Sequence, residues 1–253
     1  MNAKRIVDSG RLVLIIGGTR ATGHLAAQIL RSRGVRVRIL ARDPDTAKRR
    51  FGPGFDIVHG SLTDPPSLYE AFADVDDVIF TAGVRSGRFS RKSVTRATEY
   101  EGVVHTVAAA KAQNFQGRFV YMTSIGVRKR SFFAWALNVW KGGTLHWRHL
   151  AEDAIRSSGF DYTIVRAAVL VNRPGGQHEL QIRQAESPLT FREKIARADV
   201  AETLVEALFH PRASRATFEV AWTDSKRTAS LASLMNSLVP DSRVEMISHP
   251  RSR

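Results

Sequence analysis

The sequence contains no cysteine and no long apolar run, and both absences narrow what the protein can be. Without cysteine in its 253 residues, the chain can form no disulfide, no thiolate metal site and no catalytic thiolate. It has no stretch of about 18 uninterrupted apolar residues, and no apolar run of signal-peptide length precedes residue 12. We therefore expect a cytoplasmic protein without stable membrane insertion, in which any redox chemistry depends on a bound cofactor.

Acidic residues are few relative to basic ones, 24 against 38, which gives a formal net charge of +14. Such a charge suits nucleic acid, an anionic membrane surface, or an anionic ligand such as a dinucleotide phosphate. The basic residues are spread along the chain, and no recognisable DNA-reading module surrounds them. We expect no nucleic-acid partner, and interpret most of the charge as a solvated, arginine-rich surface.

Between residues 12 and about 165, strand-like and helix-like segments alternate. Six apolar or alternating runs predict strands, at RLVLIIG, VRVRIL, FDIVHG, DDVIFTAG, GRFVYMTS and FDYTIVRA, and the segments between them have helical spacing. One of these helical segments is the long VTRATEYEGVVHTVAAAKAQ. Strands separated by helices of this length need a parallel sheet covered on both faces, with right-handed crossovers. The sequence predicts a doubly wound α/β fold.

The pattern loosens after residue 170. Short strands are predicted at LQIRQ and SPLTFR, a helix at RADVAETLVEALFHP, a late strand at ATFEVAW and a last amphipathic helix at TASLASLMNSLVP. No internal repeat, low-complexity tract or long linker marks a second domain. We expect a single domain over residues 1–253, in which residues 170–253 contribute a small C-terminal lobe on the substrate side.

Small residues cluster where the first strand passes into the first helix, in LVLIIGGTRATGHLAAQIL. The first N–H groups of a helix have no internal partners and its dipole favours negative charge, so such a turn suits a pyrophosphate. Glycine is expected at the strand end and where the helix packs closest to the sheet, and Gly17 and Gly23 fit those two places. A tight turn without a ligand would need the same residues, so this alternative stays open.

The turn resembles that of the short-chain dehydrogenases/reductases, which has glycine, three variable residues, glycine, one residue and glycine. GGTRATG matches it with Ala21 at the middle glycine. The resemblance runs from about residue 12 to residue 222 and is strongest to the atypical, NmrA-like or NAD(P)H-binding branch. It implies a Rossmann fold, a nicotinamide dinucleotide cofactor and oxidoreductase chemistry.

Two arginines bear on which dinucleotide is bound. The resemblance places Arg20 where NADP-preferring members often carry a basic residue. Arg42 follows the second strand, in place of the carboxylate that would bind a free ribose 2′-OH; a guanidinium can bind a 2′-phosphate instead. NADP(H) is therefore favoured over NAD(H). The cofactor contacts that we predict are Gly17, Thr19, Arg20, Ala21, Thr22, Gly23, Arg42, Ser61, Leu62, Ala82, Gly83, Thr123 and Val169.

The proton-donating tyrosine of this family has no match in the chain. Ser124, at the end of the fifth strand, matches the serine that orients the substrate carbonyl. The tyrosine and the lysine four residues later align either with Leu137 and Lys141 or with Thr144 and Arg148. Our catalytic candidates are Ser124, Lys141 and His146, and the proton can alternatively come from water or His149.

Three functions remain open. The first is an NADP(H)-dependent reductase acting on a hydrophobic carbonyl, quinone-like or enone substrate, which needs no strong acid. The second is a non-catalytic NADP(H)-binding redox sensor of the NmrA type. The third is a nucleic-acid binder, which the lack of an aromatic and basic platform disfavours. No spacing of His, Asp and Glu suggests a metal site.

An aromatic segment after Ser124 favours the reductase. It is bracketed by basic residues at 128–130 and by Lys141, and a core helix or a homodimer contact would explain it. The alternative that we favour is a lid over a small-molecule hydrophobic substrate that is bulky and apolar or aromatic, with the basic residues serving an acidic group or a membrane surface. Its large apolar residues are Phe132, Phe133, Trp135, Leu137, Trp140 and Trp147.

Overall fold

The computed structural model describes residues 10–84, 91–129 and 132–242 and contains one large sheet of eight strands. Six strands come from the alternating part of the chain: β1 (Leu12–Ile16), β2 (Arg36–Ala41), β3 (Asp56–His59), β4 (Asp77–Phe80), β5 (Arg118–Ser124) and β6 (Asp161–Ala167). The other two are β8 (His178–Arg183) and β10 (Ala216–Lys226). Two short strands, β7 (Val169–Val171) before β8 and β9 (Lys194–Ala196) after it, pair as a separate parallel sheet.

The strand order is β3-β2-β1-β4-β5-β6-β10-β8. Every neighbouring pair is parallel except β10 and β8, which run antiparallel at one edge. The chain runs from β1 outward to β3 and then crosses back to β4 on the other side of β1, so the order reverses between β1 and β4. This is the arrangement of a doubly wound α/β fold, and the predicted fold class is confirmed.

Helices cover both faces of the sheet. They are α1 (Ala21–Ser32), α2 (Pro44–Phe51), α3 (Pro65–Ala71), α4 (Lys92–Arg96), α5 (Gly102–Ala112), α6 (Phe132–Trp140), α7 (Thr144–Arg156), α8 (Arg197–Phe209) and α9 (Leu231–Met235). A π-helical turn at Ala97–Glu101 joins α4 to α5. Local chemistry sets the boundaries: Asp43 accepts a bond from the Thr46 N–H at 3.0 Å, and Pro44 then begins α2.

Alternating side chains along the strands build two cores. Val13 and Ile15 of β1 belong to the core on the side of α1 and α8, whereas Leu14 and Ile16 belong to the core on the side of α3, α5 and α7. All five residues of β1 are buried, since the strand is covered on both faces. This rigid centre fixes the positions of the loops that follow β1, β4 and β5.

The structure corrects several details of the predicted elements. The predicted strand at SPLTFR is irregular: the Ser187 N–H donates to the Glu219 carboxylate at 2.7 Å rather than to a neighbouring strand. The long helix before β5 contains the π-helical turn, and α9 is only five residues long. The short strands β7 and β9 were not predicted, because three-residue strands carry too little periodicity.

Candidate functional site

A cleft of about 690 Å³ lies at the carboxyl ends of the strands, where the order reverses between β1 and β4. Ligands of open α/β sheets bind at this place, because the loops on either side of the reversal separate. Most lining residues come from the ends of β1, β2, β4 and β5 and from the loop after β3, and the others come from α4, the π-helical turn, α7, β7 and α8. Eleven predicted cofactor contacts line the cleft: Gly17, Thr19, Arg20, Ala21, Thr22, Gly23, Arg42, Ser61, Leu62, Ala82 and Gly83.

Two glycines let the turn after β1 pack directly against the end of β4. Gly17 has φ +86°, and a Cβ atom there would lie 2.5 Å from the Ala82 nitrogen. A Cβ atom on Gly23 would lie 2.4 Å from Thr81 Oγ1 and 2.5 Å from the Gly17 carbonyl oxygen. Any side chain at either position would push the turn away from β4 and into the cleft. The close approach explains why glycine stands at these two places.

The start of α1 has the features of an anion site. Ala21, in place of the middle glycine, adopts φ +49°, a conformation that L-residues other than glycine adopt at a cost of about 1–2 kcal/mol. The hydroxyl of Thr22 is buried, and no described group accepts or donates a hydrogen bond to it. A buried polar atom without a partner is unfavourable unless a ligand supplies one. The turn therefore fits a pyrophosphate, whose oxygens would meet the free N–H groups of α1.

The far end of the cleft, beside β2 and β3, suits an adenosine moiety. Arg42 directly follows β2, is exposed, and forms no ion pair within the described residues. Ser61 and Leu62 lie in the loop after β3; the Ser61 hydroxyl is 3.0 Å from Thr63 Oγ1, and the Leu62 carbonyl oxygen is 2.8 Å from His105 Nδ1. These contacts order the loop beside Arg42.

The charged side chains that line the cleft are all positive. Four arginines line it, Arg20, Arg42, Arg148 and Arg197, and within the described ranges no aspartate or glutamate does so. Positive side chains in a concave, partly desolvated site raise the local concentration of anions. The cleft therefore favours a ligand with several negative charges spread along its length.

One of the four arginines, Arg148, is neutralised by an ion pair with Glu99, which does not itself line the cleft. Arg148 of α7 donates through Nε to Glu99 Oε2 at 2.9 Å and through Nη2 to Glu99 Oε1 at 3.1 Å, and Glu99 lies in the π-helical turn. Burial alone would lower the pKa of Arg148, but the Glu99 carboxylate raises it above its usual value. The Thr144 hydroxyl and the Val84 N–H also donate to Glu99 Oε1, at 3.3 and 3.1 Å. Glu99 thus fixes one wall of the cleft.

None of the three catalytic candidates, Ser124, Lys141 and His146, is among the residues that line the cleft. Ser124 ends β5 two residues after Met122, a lining residue, and its buried hydroxyl has no partner within the described residues. Lys141 is 7% exposed, with its Nζ 5.2 Å from the centre of the Trp140 ring, and burial lowers its pKa. His146 is exposed and packs its ring against Trp147.

The other predicted contacts lie just outside the cleft. Thr123 is buried in β5 with an unpartnered hydroxyl, and Val169 of β7 packs against Leu145 and Leu189. His149 lies 3.5 Å from Asp153 through Nε2. Sequence reasoning had named Arg148 only as an aligned residue and missed Glu99 and Arg197 entirely. The only local signal for Arg197 is a basic residue at the start of a helix in a turn-rich region.

The aromatic segment forms α6, and much of it faces solvent. Phe132, Trp135 and Val139 are all more than half exposed, and Trp140 is 44% exposed. Leu137 instead packs against the small cluster of Leu145 and Leu189. The predicted lid or homodimer contact is untested; Arg130 and the Phe133 side chain, which belong to the same predicted segment, lie outside the described part.

The part of the chain that the structure describes contains neither a membrane-spanning helix nor a metal-binding cluster. None of its helices combines the length and the apolar character needed to cross a membrane. None of its clusters of histidine and carboxylate side chains reaches the three groups that would hold a metal ion. The chemistry of the described site rests on arginines, hydroxyls and backbone N–H groups.

Comparison with known proteins agrees with this geometry. The family described as NAD(P)H-binding matches residues 17–211, more than half of the chain. Sanguinarine reductase of Eschscholzia californica is 30% identical over 232 residues, covering 78% of this chain and 83% of the reductase. The chain belongs to the NAD(P)H-binding family.

Solved structures agree on the fold. A Bacillus halodurans protein named as an NAD-dependent epimerase/dehydratase has a TM-score of 0.76 and 25% identity, covering 90% of this chain and 100% of that one. A short-chain dehydrogenase/reductase from Veillonella parvula, solved in complex with NADP, has a TM-score of 0.66 and 16% identity, covering 87% and 99% of the two chains. At that identity the second comparison supports the Rossmann fold alone.

Proposed function

We propose that this member of the NAD(P)H-binding family is an NADPH-dependent reductase of a hydrophobic carbonyl, quinone-like or enone substrate. The observation that carries the proposal is the positive charge of Arg20 and Arg42 in the cleft, which no carboxylate lines within the described residues. A carboxylate after β2 would bind the ribose 2′-OH of NADH, and Arg42 stands there instead. The guanidinium can form two parallel charge-assisted bonds to a 2′-phosphate.

The chain's own residues would divide the work along the cleft. Arg42 and Arg20 would hold the 2′-phosphate, the turn from Gly17 to Gly23 would hold the pyrophosphate, and the end of β5 would face the nicotinamide. Bound NADPH would supply the hydride. Ser124, with its unpartnered hydroxyl at the end of β5, would orient the substrate oxygen by donating a hydrogen bond.

The substrate class follows from the absence of the family's proton-donating tyrosine. Arginine stays protonated at all ordinary pH, so Arg148 cannot pass a proton, and the hydroxyl of Thr144 already donates to Glu99. A substrate that is conjugated or already polarised can accept hydride without a strong acid. The relative named sanguinarine reductase supports reductase chemistry in the family, and reductase activity is what we propose for this chain.

A screen of NADPH oxidation against aromatic aldehydes, quinones and conjugated enones tests this function. We expect turnover with NADPH, at least tenfold faster than with NADH at the same subsaturating concentration, and a loss of about tenfold to a hundredfold in kcat for Ser124→Ala. Ser237→Ala, in an exposed turn after α9, is the matched control and should retain full activity. Turnover that Ser124→Ala leaves intact would remove Ser124 from the proposal.

The lack of a strong acid also favours a second candidate, a non-catalytic NADP(H)-binding redox sensor. In that case the protein binds NADPH but oxidises it with none of the three substrate classes. The sensor would also change its association state or proteolytic susceptibility between the NADPH and NADP⁺ complexes, whereas the reductase needs no such change.

A further inference from the structure

Arg197 forms no ion pair within the part of the chain that the structure describes. It begins α8, lines the cleft, and its Nε donates to Asn172 Oδ1 at 2.9 Å. Within the described residues it has no carboxylate partner. Arg148, which lines the same cleft, forms an ion pair with Glu99. The charge of Arg148 is therefore balanced by a carboxylate of the protein, whereas the charge of Arg197 is available to an anionic ligand.

The carboxylates nearest to Arg197 in sequence are engaged elsewhere. Asp199 is fully buried and accepts bonds from the Gly176 N–H and from Trp222 Nε1, each at 2.7 Å. Glu193 is held by Arg183 at 2.7 Å. Neither carboxylate can turn toward Arg197 without breaking these bonds.

Arg197 is partly buried in a cleft that apolar side chains also line, which makes an unpaired charge there unfavourable. Met122 and Leu170 line the same cleft, and burial lowers the pKa of Arg197. An unpaired, partly buried charge at a cleft wall is typical of a binding site. Asn172 accepts a hydrogen bond from Nε, and no other described group accepts one from the two terminal nitrogens. Together these two nitrogens match a single carboxylate.

We propose that Arg197 binds a carboxylate group of the substrate, so that the substrate class is an apolar, conjugated compound bearing one carboxylate. The inference rests on the proposed function, because it takes the substrate to lie at the β5 end of the cleft. Arg42 lies after β2, three strand spacings from β5, or about 14 Å. Different arginines therefore bind the two anions: Arg42 binds the 2′-phosphate, and Arg197 binds the substrate carboxylate.

The test uses the full chain saturated with NADP⁺ and two probes of nearly equal shape, 2-naphthoate and the uncharged 2-naphthamide. Isothermal titration calorimetry should show naphthoate binding about tenfold to a hundredfold more tightly than naphthamide. Arg197→Gln should abolish this preference and leave the affinity for naphthamide and for NADP⁺ unchanged. Lys194→Gln, which removes one exposed positive charge three residues away, should preserve the preference.

Each other outcome overturns the assignment. Equal binding of the two probes by the wild type, or no binding of either, means that the cleft has no carboxylate site. A loss of NADP⁺ affinity in Arg197→Gln means that Arg197 serves a cofactor phosphate. If the wild type fails to bind NADP⁺, the proposed function is wrong. The two probes are then titrated without cofactor, which tests the carboxylate site separately. Preferential binding of naphthoate would support this site, and equal binding of the two probes would exclude it.

Discussion

Replacing Gly17 by alanine tests whether the turn after β1 depends on close backbone packing or only on a left-handed backbone. Gly34 is a matched control, because the two glycines have φ angles of +86° and +82°. A Cβ atom on Gly34 would meet nothing within 4 Å, whereas one on Gly17 would lie 2.5 Å from the backbone nitrogen of Ala82. Gly34→Ala thus measures backbone strain alone, and Gly17→Ala adds a collision.

The expected magnitudes separate the two variants. The left-handed conformation should lower the free energy of unfolding by about 1–2 kcal/mol in each. Gly17→Ala should lose about 1–3 kcal/mol more, as overpacked sites do, because the neighbouring atoms belong to the backbone and cannot rotate away. Since Gly17 and Ala82 both line the cleft, NADPH affinity should fall at least tenfold in Gly17→Ala and stay unchanged in Gly34→Ala.

Urea unfolding followed by tryptophan fluorescence gives the stabilities, and titration of NADPH gives the affinities. Equal stability losses in the two variants would show that the close approach to Ala82 is unimportant. Undiminished NADPH binding by a folded Gly17→Ala protein would refute the placement of the pyrophosphate in this turn.

Three further substitutions probe the surrounding structure. Glu99→Gln should lower the free energy of unfolding by about 3 kcal/mol, because it leaves the partly buried Arg148 without its carboxylate, and urea unfolding measures this; an unchanged stability would contradict the anchoring role. Burial raises the pKa of Asp77 to about 6, so its contribution to stability is fully present below pH 4 and is lost as the pH rises through 6. The free energy of unfolding of Asp77→Asn relative to wild type should therefore rise by about 2–3 kcal/mol between pH 4 and pH 7, and a pH-independent difference would contradict the raised pKa. Ala21→Gly should stabilise the fold by up to about 1 kcal/mol, since relief of the left-handed strain exceeds the added entropy of glycine in the unfolded chain; a destabilised variant would contradict the strain.

Most of the central fold could be predicted because its signals are local. The apolar run of β1, the small residues of the following turn and the alternation of strands with helices each lie within a few adjacent residues. Gly17, Gly23 and Arg42 reach the cleft for a topological reason: the carboxyl ends of parallel strands meet at one edge of the sheet. Their positions along the chain were enough to bring them together.

The rest of the site depends on contacts between distant residues, which no local pattern encodes. Glu99 and Arg148 are 49 positions apart, and the π-helical turn that carries Glu99 looks like ordinary helix in sequence. Arg197 enters the cleft because β9 pairs with β7, two strands too short to recognise. Ser187 and its neighbours read as a strand, yet a side-chain bond to Glu219 holds them in irregular form.

The most direct test of the central claim is a calorimetric titration of the wild type and of Arg42→Ala with NADPH and with NADH. The arginine-lined cleft predicts that the wild type binds NADPH at least tenfold more tightly than NADH. Arg42→Ala should weaken NADPH binding by about tenfold to a hundredfold and leave NADH binding unchanged. Equal affinity of the wild type for the two dinucleotides, or no binding of either, would contradict it.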